Sequence, residues 1–286
     1  MMKTILVELT GSQTDDAVLE TAYLAARLFD ARLECLHVAP NWHQIAARSA
    51  IAEMGGPVVP EDLLGAFEAE AKGLIWRAHR HFSEFCKRRN VSQSEAPSGN
   101  HGLSAVWQGI PDESGHELLT WARFHDLTVM ARHHDVGALG SFILKAGRPV
   151  LLAPQPAPEN FAPTIVIAWK DRSESARAVM AAMPLLAKAD QIIALCVEDG
   201  LGKAATIASA ERLARQLRWH GLNLCTHYLS DGDEDIADAI VKFAQDSKAD
   251  LIVSGAYGHS RLTEFVLGGV TRDLLKECPL PLFLFH

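Results

Sequence analysis

The sequence predicts an α/β fold built from two tandem, doubly wound domains. Three observations predict it: the two halves of the 286-residue chain resemble each other, apolar runs alternate with stretches of helical period, and a proline-rich segment separates the halves. Short apolar runs without polar alternation, such as TIVIAW and LFLF, are typical of strands that helices cover on both faces. Because strands that alternate with helices pair in parallel through right-handed crossovers, we expect a parallel sheet in each half.

The internal repeat sets the domain boundaries. KTILVELTGSQTDDAVLETAYLAARLFDARLECLHV (3–38) resembles PTIVIAWKDRSESARAVMAAMPLLAKADQIIALCV (163–197). Further along, HDLTVMARHH parallels ADLIVSGAYG, and GRPVLLAP parallels PLPLFLFH. Four prolines fall within PQPAPENFAP, a composition that indicates an extended linker. We expect domain 1 over residues 1–153, a linker over residues 154–163 and domain 2 over residues 164–286.

The first half opens with a strand and later departs from the repeat. MMKTILVELTG predicts a strand, because Glu8 interrupts the apolar run before it reaches the length of a signal-peptide core. The segment from Asn41 to Asn90 makes this half longer than the second. It contains MGGPVVPED, rich in breakers, and then LLGAFEAEAKGLIWRAHRHFSEFCKRR, which predicts a long helix. Two interpretations stay open for this segment: an extended second helix of the repeat, or an interaction lid.

The second half alternates strands and helices throughout. The predicted strands are Thr164–Trp169, Gln191–Val197, Asn223–Leu229, Leu251–Ser254 and Leu282–Phe285. The predicted helices are Ser173–Ala187, Lys203–His220, Glu234–Asp246 and Gly269–Lys276.

Composition excludes several classes of function. A net charge of −8 argues against a nucleic-acid-binding face, which needs clustered Lys and Arg. No apolar run approaches the roughly 18 residues of a membrane span. The five cysteines are odd in number and scattered, which is typical of reduced thiols in a cytoplasmic protein.

The glycines of GAYGHSRLTEFVLGGVTRDLL, which begins at Gly255, predict a ligand site. Gly255 directly follows a predicted strand, and ligands of open α/β sheets bind at the carboxyl ends of strands. Gly258 follows in the same loop, and Gly268 and Gly269 precede a predicted helix. Free N–H groups at a helix start attract anions, and glycines there allow close approach. We therefore expect a nucleotide or another polyphosphate between the two pairs of glycines.

Other chemistries lack their sequence patterns. The chain has no G-x-x-x-x-G-K-[ST], no G-x-G-x-x-G after a strand and no G-x-S-x-G. Nine of the thirteen histidines lie in the first half, but none has zinc-type spacing, so no metal site is predicted. No catalytic residue is predicted either, and we expect at most slow, incidental ATP hydrolysis.

The glycine pattern also carries a resemblance to a known family. The spacing G-x2-G-x9-G, followed by a small residue and preceded by a strand that Asp leads, resembles the glycine motif of the universal stress protein family. The internal repeat resembles the tandem, UspA-like form of that family. The resemblance covers nearly the whole chain. It implies a five-stranded parallel sheet flanked by helices in each domain, Rossmann-like and similar to the adenine nucleotide alpha hydrolases. Many members of the family bind ATP without being dedicated enzymes.

The resemblance implies an adenine-nucleotide site in the second half. Gly255 and Gly258 would lie beneath the ribose and phosphates, with Ser254 near the sugar. Ala168 and Val197, at the ends of two strands, would border the adenine. The residues implied to hold the phosphates through N–H groups and a hydroxyl are Gly268, Gly269, Val270 and Thr271.

Two departures from the family pattern concern phosphate and metal. Gly269 stands where binding members have Ser or Thr, and the missing hydroxyl contact is worth about 0.5–1.5 kcal/mol. Lys170 stands where the family commonly has an Asp, and a cation cannot ligate Mg²⁺. Asp171 follows directly and would substitute if the turn shifts by one residue. Whether Mg²⁺ accompanies the nucleotide therefore stays open.

The first half has lost the motif. ARHHDVGALGSFILKAGRPVLL replaces the leading glycines with the segment from Arg132 to Asp135, so we expect no nucleotide in domain 1. By the resemblance, Val150–Ala153 and Leu282–Phe285 would pair the two domains and cover their sheet edges. Pairing of two chains into a homodimer stays open.

The function expected from these features is that of a cytoplasmic, nucleotide-dependent regulator or scaffold in a stress response. The alternative is a nucleotide-free structural or interaction module of the same fold, which Lys170 and Gly269 favour. A third interpretation, a nucleotide-transfer enzyme, would require a catalytic Lys or His near Gly268.

Overall fold

A computed structural model describes residues 2–40, 61–94, 102–132, 135–198, 202–229, 235–256 and 269–286. The elements of the first half, in chain order, are β1 (Thr4–Glu8), α1 (Asp15–Arg27), β2 (Arg32–Ala39), α2 (Glu61–Arg89), β3 (Ser92–Gln93), β4 (Ser104–Pro111), α3 (Glu117–Ala122), β5 (Leu127–Ala131), α4 (Val136–Ala146) and β6 (Val150–Ala153). Those of the second half are β7 (Thr164–Trp169), α5 (Ser173–Leu186), β8 (Gln191–Val197), α6 (Lys203–Trp219), β9 (Cys225–Leu229), α7 (Ile236–Asp246), β10 (Leu251–Gly255), α8 (Gly269–Glu277) and β11 (Leu282–Phe285). The predicted bounds of the second half agree with these within two residues.

The strands form one continuous sheet, which has eleven strands in the described part of the chain. Their order is β3-β4-β2-β1-β5-β6-β11-β10-β7-β8-β9. Pairing is parallel within each half, and the spatial order reverses between β1 and β5 and again between β7 and β10. The predicted doubly wound α/β fold is confirmed. The two sheets are joined edge to edge, however, and the first half carries the short strand β3 in addition to five longer strands.

An antiparallel pair of strands joins the two halves. Leu282 pairs with Leu152, Phe283 with Leu151, and Leu284 with Val150. The predicted pairing of Val150–Ala153 with Leu282–Phe285 is therefore confirmed. Both edges that would otherwise expose unpaired backbone groups are covered within one chain.

Both hydrophobic cores run across this junction. Because side chains alternate between the faces of a strand, Leu151 and Phe283 pack into the core on one face, whereas Leu152 and Leu284 pack into the core on the other. All four are fully buried. The halves therefore share two continuous apolar layers, each covered by helices.

The long predicted helix is present as α2. Its second half packs Phe82 and Phe85 into the core, where both are buried, whereas residues 65–77 are mostly exposed or half-buried. α2 contacts β2 and β4, so it fills the place of the second helix of the repeat. Residues 41–60, which belong to the lid interpretation, lie outside the described residues.

An aspartate at the same position of each repeat fastens the start of the first strand of each half. In the first half, Asp126 accepts hydrogen bonds from the Lys3 and Thr4 N–H groups at 2.7 and 3.0 Å. In the second half, Asp250 accepts from the Thr164 N–H at 2.9 Å. The carboxylates accept hydrogen bonds from backbone N–H groups at the start of the strand, where the hydrogen bonds between strands begin. These contacts hold the neighbouring strands in register.

Two predictions from the sequence concern the state of the cysteines and the apolar character of the helices. All five cysteines are free thiols, and only Cys225 is exposed. Within the described residues, no helix combines the length and apolar character that crossing a bilayer demands.

A half-buried hydrogen bond between His125 and Glu34 in the first half makes stability depend on pH. His125 lies between two acceptors, the Trp121 carbonyl at 2.8 Å and the Glu34 carboxylate at 2.9 Å. The hydrogen bond from His125 lowers the pKa of Glu34 below its ordinary value of 4.5, although partial burial opposes it. A carboxyl with a lowered folded-state pKa stabilises the fold above its unfolded pKa, and this contribution is lost as the pH falls through the folded value.

Glu34→Gln should therefore destabilise the protein at neutral pH and matter progressively less below pH 4.5. The measurement is the free energy of unfolding of both proteins by denaturant titration at several pH values. A difference between them that stays constant through this range would contradict the assignment.

Candidate functional site

A crevice lies at the carboxyl ends of β7 and β10, where the strand order of the second half reverses. At such a point, the loops that follow two neighbouring strands run toward opposite faces of the sheet, so a gap remains between the two loops. The cavity has a volume of about 180 Å³. Residues of β7, β8, β10, α5, α7 and α8 line it.

One side of the crevice is apolar. Ala168 at the end of β7 and Val197 at the end of β8 face Ile236 and Ile240 of α7. Ala168 and Ile240 are almost fully buried, whereas Ile236 is partly exposed at the mouth. Flat aromatic groups bind well between aliphatic side chains of this kind, because both surfaces leave water.

The other side is the start of α8. Gly269, Val270 and Thr271 line the crevice there, and Thr271 is buried. The first N–H groups of a helix lack intrahelical acceptors and point outward from its start, together with the positive end of the helix dipole. A Cβ at Gly269 would have Asp273 Oδ2, at 4.0 Å, as its nearest neighbour in the part of the chain that the structure describes, so that part leaves the space beside this residue open.

Gly255 has a packing role that the glycine pattern did not indicate. A Cβ at this position would lie 2.5 Å from the Ser175 nitrogen and 2.6 Å from the Glu174 carbonyl carbon. The end of β10 therefore touches the backbone at the start of α5. Ser254, the preceding residue, is buried and lines the crevice.

The turn after β7 brings charges to the crevice. Lys170 and Arg172 both line it, and the Arg172 N–H donates to the Lys170 carbonyl at 2.7 Å, which closes the turn. Asp171 accepts from Arg212 Nη2 at 2.8 Å in an exposed ion pair. Asp171 lines a neighbouring cavity with Arg212 and Ser209 instead of the crevice. The turn therefore presents cations to the crevice and directs its carboxylate elsewhere.

The structure thus brings together eight of the eleven sequence-predicted site residues. They are Ala168, Lys170, Val197, Ser254, Gly255, Gly269, Val270 and Thr271. Asp171 lies beside them, and Gly258 and Gly268 lie outside the described residues.

Sequence reasoning missed several residues of the crevice. They are Trp169, Arg172, Glu174, Ser175, Ile236 and Ile240. The spacing of Ile236 and Ile240, one helical turn apart after a strand and an acidic cap, could have indicated the apolar wall. Trp169 gave no such signal; its Nε1 donates to Ser209 Oγ at 3.0 Å, a contact between segments 40 residues apart.

The equivalent turn of the first half is occupied by the protein itself. The Asp15 carboxylate accepts from the Thr10 N–H at 3.0 Å and the Gly11 N–H at 2.8 Å. In the repeat, Ser175 stands at the position of Asp15. Burial raises the pKa of Asp15, although these hydrogen bonds oppose the shift.

Helix α2 closes over the same turn. Arg77 Nε donates to the Gly11 carbonyl at 3.0 Å, and a Cβ at Gly11 would collide with the backbone of Leu74. The backbone of α2 therefore lies directly on the turn after β1, where the second half has its crevice on the turn after β7.

The fold and the crevice place the second half among doubly wound α/β domains with a crevice at the switch point of the sheet. Residues 162–286 match the model of the Universal stress protein family, so the resemblance noted in the sequence is confirmed for the second half.

One relative is similar in part of its sequence, and two solved structures are similar in fold. The chain is 38% identical over 49 residues to universal stress protein Slr1230 of Synechocystis sp. (strain ATCC 27184 / PCC 6803 / Kazusa), a match that spans 17% of each protein. A universal stress protein from Archaeoglobus fulgidus DSM 4304 superposes with a TM-score of 0.66 at 14% identity, covering 99% of this chain and 95% of that one. The protein PA1789 from Pseudomonas aeruginosa PAO1 superposes with a TM-score of 0.57 at 15% identity, covering 99% and 92%. The fold of the whole chain, including the first half, is shared with these structures.

Proposed function

We propose that the second half binds ATP or another adenine nucleotide, and that the chain acts as a nucleotide-dependent regulator or scaffold in a stress response. One observation carries the proposal: apolar side chains and a glycine-led helix start line the same crevice at the switch point of the sheet. An apolar slot suits a base, and a helix start suits phosphates. The match of the second half to the universal stress protein family supports the same choice.

The pose follows from the two sides of the crevice. The adenine lies between Ala168 and Val197, the ribose lies near Ser254, and the phosphates reach the N–H groups at the start of α8. A volume of about 180 Å³ is smaller than the roughly 300–1,000 Å³ of common ligand pockets. The phosphates would therefore extend out of the enclosed part of the crevice.

Binding should depend little on Mg²⁺. Lys170 and Arg172 line the crevice and supply positive charge, whereas Asp171 is paired with Arg212 outside it. Glu174 is the carboxylate among the described lining residues, and it accepts from Ser173 Oγ at 2.9 Å. Cations at this turn would neutralise the phosphates directly. We propose a binding role, with ATP hydrolysis at most slow and incidental.

The first half should bind no nucleotide. The Asp15 carboxylate and the backbone of α2 occupy its equivalent turn, which supports this part of the proposal. A protein carboxylate that already accepts the turn's N–H groups would repel a phosphate.

Release of bound nucleotide tests the proposal. Freshly purified protein is denatured by heat, and the supernatant is separated by anion-exchange chromatography. We expect about one adenine nucleotide per chain, and thermal stabilisation of the emptied protein by ATP with or without Mg²⁺. Two nucleotides per chain would contradict an empty first half. An empty supernatant together with no thermal shift would contradict nucleotide binding.

That last outcome would favour the alternative, a nucleotide-free structural or interaction module of the same fold. The observations that favour it are Lys170 in place of an acidic residue, Gly269 in place of a hydroxyl, and the small enclosed volume.

A further inference from the structure

The outer side of β9 is a strand edge that the described part of the chain leaves unpaired. β9 pairs in parallel with β8 on one side, and no described strand pairs with its other side. Cys225, His227 and Tyr228 are exposed, whereas Thr226 and Leu229 are half-buried. We call this side of the strand, with its five residues, the β9 edge. A row of unpaired N–H and C=O groups is a template for another strand.

The first half closes the equivalent edge with its own chain. There β4 takes the place of β9, since each pairs with the second strand of its half. The short strand β3 pairs with the first two residues of β4, and the Ser94 N–H then donates to the Ala105 carbonyl at 3.1 Å. Residues 90–103 lie between α2 and β4, whereas only residues 220–224 lie between α6 and β9. The second half therefore has no segment at this point to form a counterpart of β3.

The sequence of β9 contains nothing that opposes pairing with another strand. Its residues, CTHYL, include no Lys, Arg, Asp, Glu or Pro, the residues that commonly protect an exposed edge. Thr and Tyr favour strands. Tyr228 lies on the strand, and Trp219, which is 85% exposed, ends the helix that leads into it. Large apolar side chains exposed beside an open edge are typical of a surface that another chain covers.

A second copy of this chain fits the β9 edge. The chain already joins its two halves by antiparallel pairing of edge strands, and three residue pairs of β6 and β11 make that junction. β9 offers five residues, whereas β3, at the other end of the described sheet, has two. Since β9 carries no Lys, Arg, Asp or Glu, two identical β9 edges can approach without repulsion between such side chains. Identical edges related by a two-fold axis close into a dimer, because each covers the other.

We propose that two copies of the chain pair antiparallel through their β9 edges, with the two-fold axis between the two His227 residues. This register pairs all five residues of the strand. Thr226 lies opposite Tyr228 of the partner subunit, and Cys225 lies opposite Leu229 of the partner subunit. The sheet then continues from one chain into the other, as it does between the two halves of a single chain. The pairing concerns assembly and does not depend on nucleotide binding.

Sedimentation velocity of the full chain over a concentration series tests the pairing. Wild-type protein should shift from monomer to dimer as the concentration rises, and no larger species should form. His227→Lys should weaken dimerisation by about tenfold or more, because it places two like charges directly opposite each other at about 5 Å. Ser92→Lys is the matched control, since it adds the same charge to an exposed position of β3 at the other end of the sheet. It should leave dimerisation unchanged, and denaturant unfolding checks that both variants fold.

A cysteine at the axis tests the register independently of the lysine variant. Opposite residues of an antiparallel pair have Cα atoms about 4.5–5.5 Å apart, which is within the range of a disulfide. In a Cys225→Ser background, His227→Cys should therefore link two chains when the protein is treated with oxidised glutathione. The native Cys225, the exposed thiol of the chain, should not link two wild-type chains, because it lies opposite a leucine.

Three outcomes would overturn the proposal. The first is a wild type that stays monomeric throughout the concentration series, which would leave the β9 edge to a different occupant, such as an extended peptide. The second is a Ser92→Lys variant that dissociates the dimer as strongly as His227→Lys does. The third is a disulfide between two wild-type chains through Cys225, together with no disulfide in the His227→Cys variant.

Discussion

Replacement of Gly269 by aspartate should weaken ATP binding by about 100-fold or more, whereas replacement by serine should retain or strengthen it. Among the described residues, the nearest neighbour of a Cβ added at Gly269 lies at 4.0 Å, so neither side chain would displace the described backbone. An aspartate at the first turn of α8 would accept the N–H groups that the phosphates need and would repel the phosphates. Loss of charge-assisted hydrogen bonds costs about 1.5–3 kcal/mol each, and repulsion adds to this.

Serine at the same position would supply the hydroxyl that the resemblance to the universal stress protein family implies there. One such contact is worth about 0.5–1.5 kcal/mol, which corresponds to about a twofold to tenfold gain in affinity. Both variants are measured by calorimetric titration with ATP, and their thermal unfolding serves as the control. Aspartate near a helix start favours the helix, so neither variant should lower stability appreciably. If Gly269→Asp binds ATP like the wild type, the phosphates do not lie at α8.

Local sequence patterns were sufficient to predict the elements of the second half. Apolar runs and helical periods fixed β7 to β11 within two residues, because each pattern reports burial on one or both faces of a single element. The repeat then predicted parallel order, and the resemblance to the family predicted the pairing of β6 with β11. A single long helix over Leu63–Arg89 was predicted from its period as well, and α2 runs from Glu61 to Arg89.

Contacts between distant segments were not predictable in this way. The glycine pattern correctly drew attention to Gly255, but its close contact with Ser175 joins elements 80 residues apart. The bond between Asp15 and the turn after β1 looks, in sequence, like an ordinary acidic first turn of a helix. Whether a carboxylate caps its own helix or a preceding loop depends on how the loop folds back, which periodicity does not encode.

This distinction matters for every glycine assigned to the ligand. Gly269 lines the crevice and has open space beside it among the described residues, so we propose that its lack of a side chain serves access to α8. Gly255 faces the crevice too, but its missing Cβ is required by the fold. If ligand binding alone explained the motif, substitution of either glycine would affect the same property, the affinity for the ligand. The structure instead predicts that substitution of Gly269 changes affinity and that substitution of Gly255 changes stability.

Gly255→Ala should therefore destabilise the whole protein before it affects any ligand. The added Cβ would lie 2.5 Å from the Ser175 nitrogen, and a backbone neighbour cannot rotate away as a side chain can. Overpacking costs about 1–3 kcal/mol where side chains adjust, so we expect a loss of about 3 kcal/mol or more in the free energy of unfolding. Helix α5 packs on both β10 and β11, so its displacement would reach the junction between the halves.

The repeat offers a matched control for this prediction. Ala131→Gly makes the reciprocal change at the equivalent position of the first half, where Ala131 lines a cavity. It should cost only about 0.5–1 kcal/mol, the ordinary penalty of a glycine in a strand. Denaturant unfolding of both variants measures the two values. If Gly255→Ala unfolds like the wild type but no longer binds ATP, the glycine serves the approach of the nucleotide and not the packing of α5. Equal losses in the two variants would mean that glycine and alanine differ here only in backbone entropy, and that the close contact between β10 and α5 relaxes at little cost.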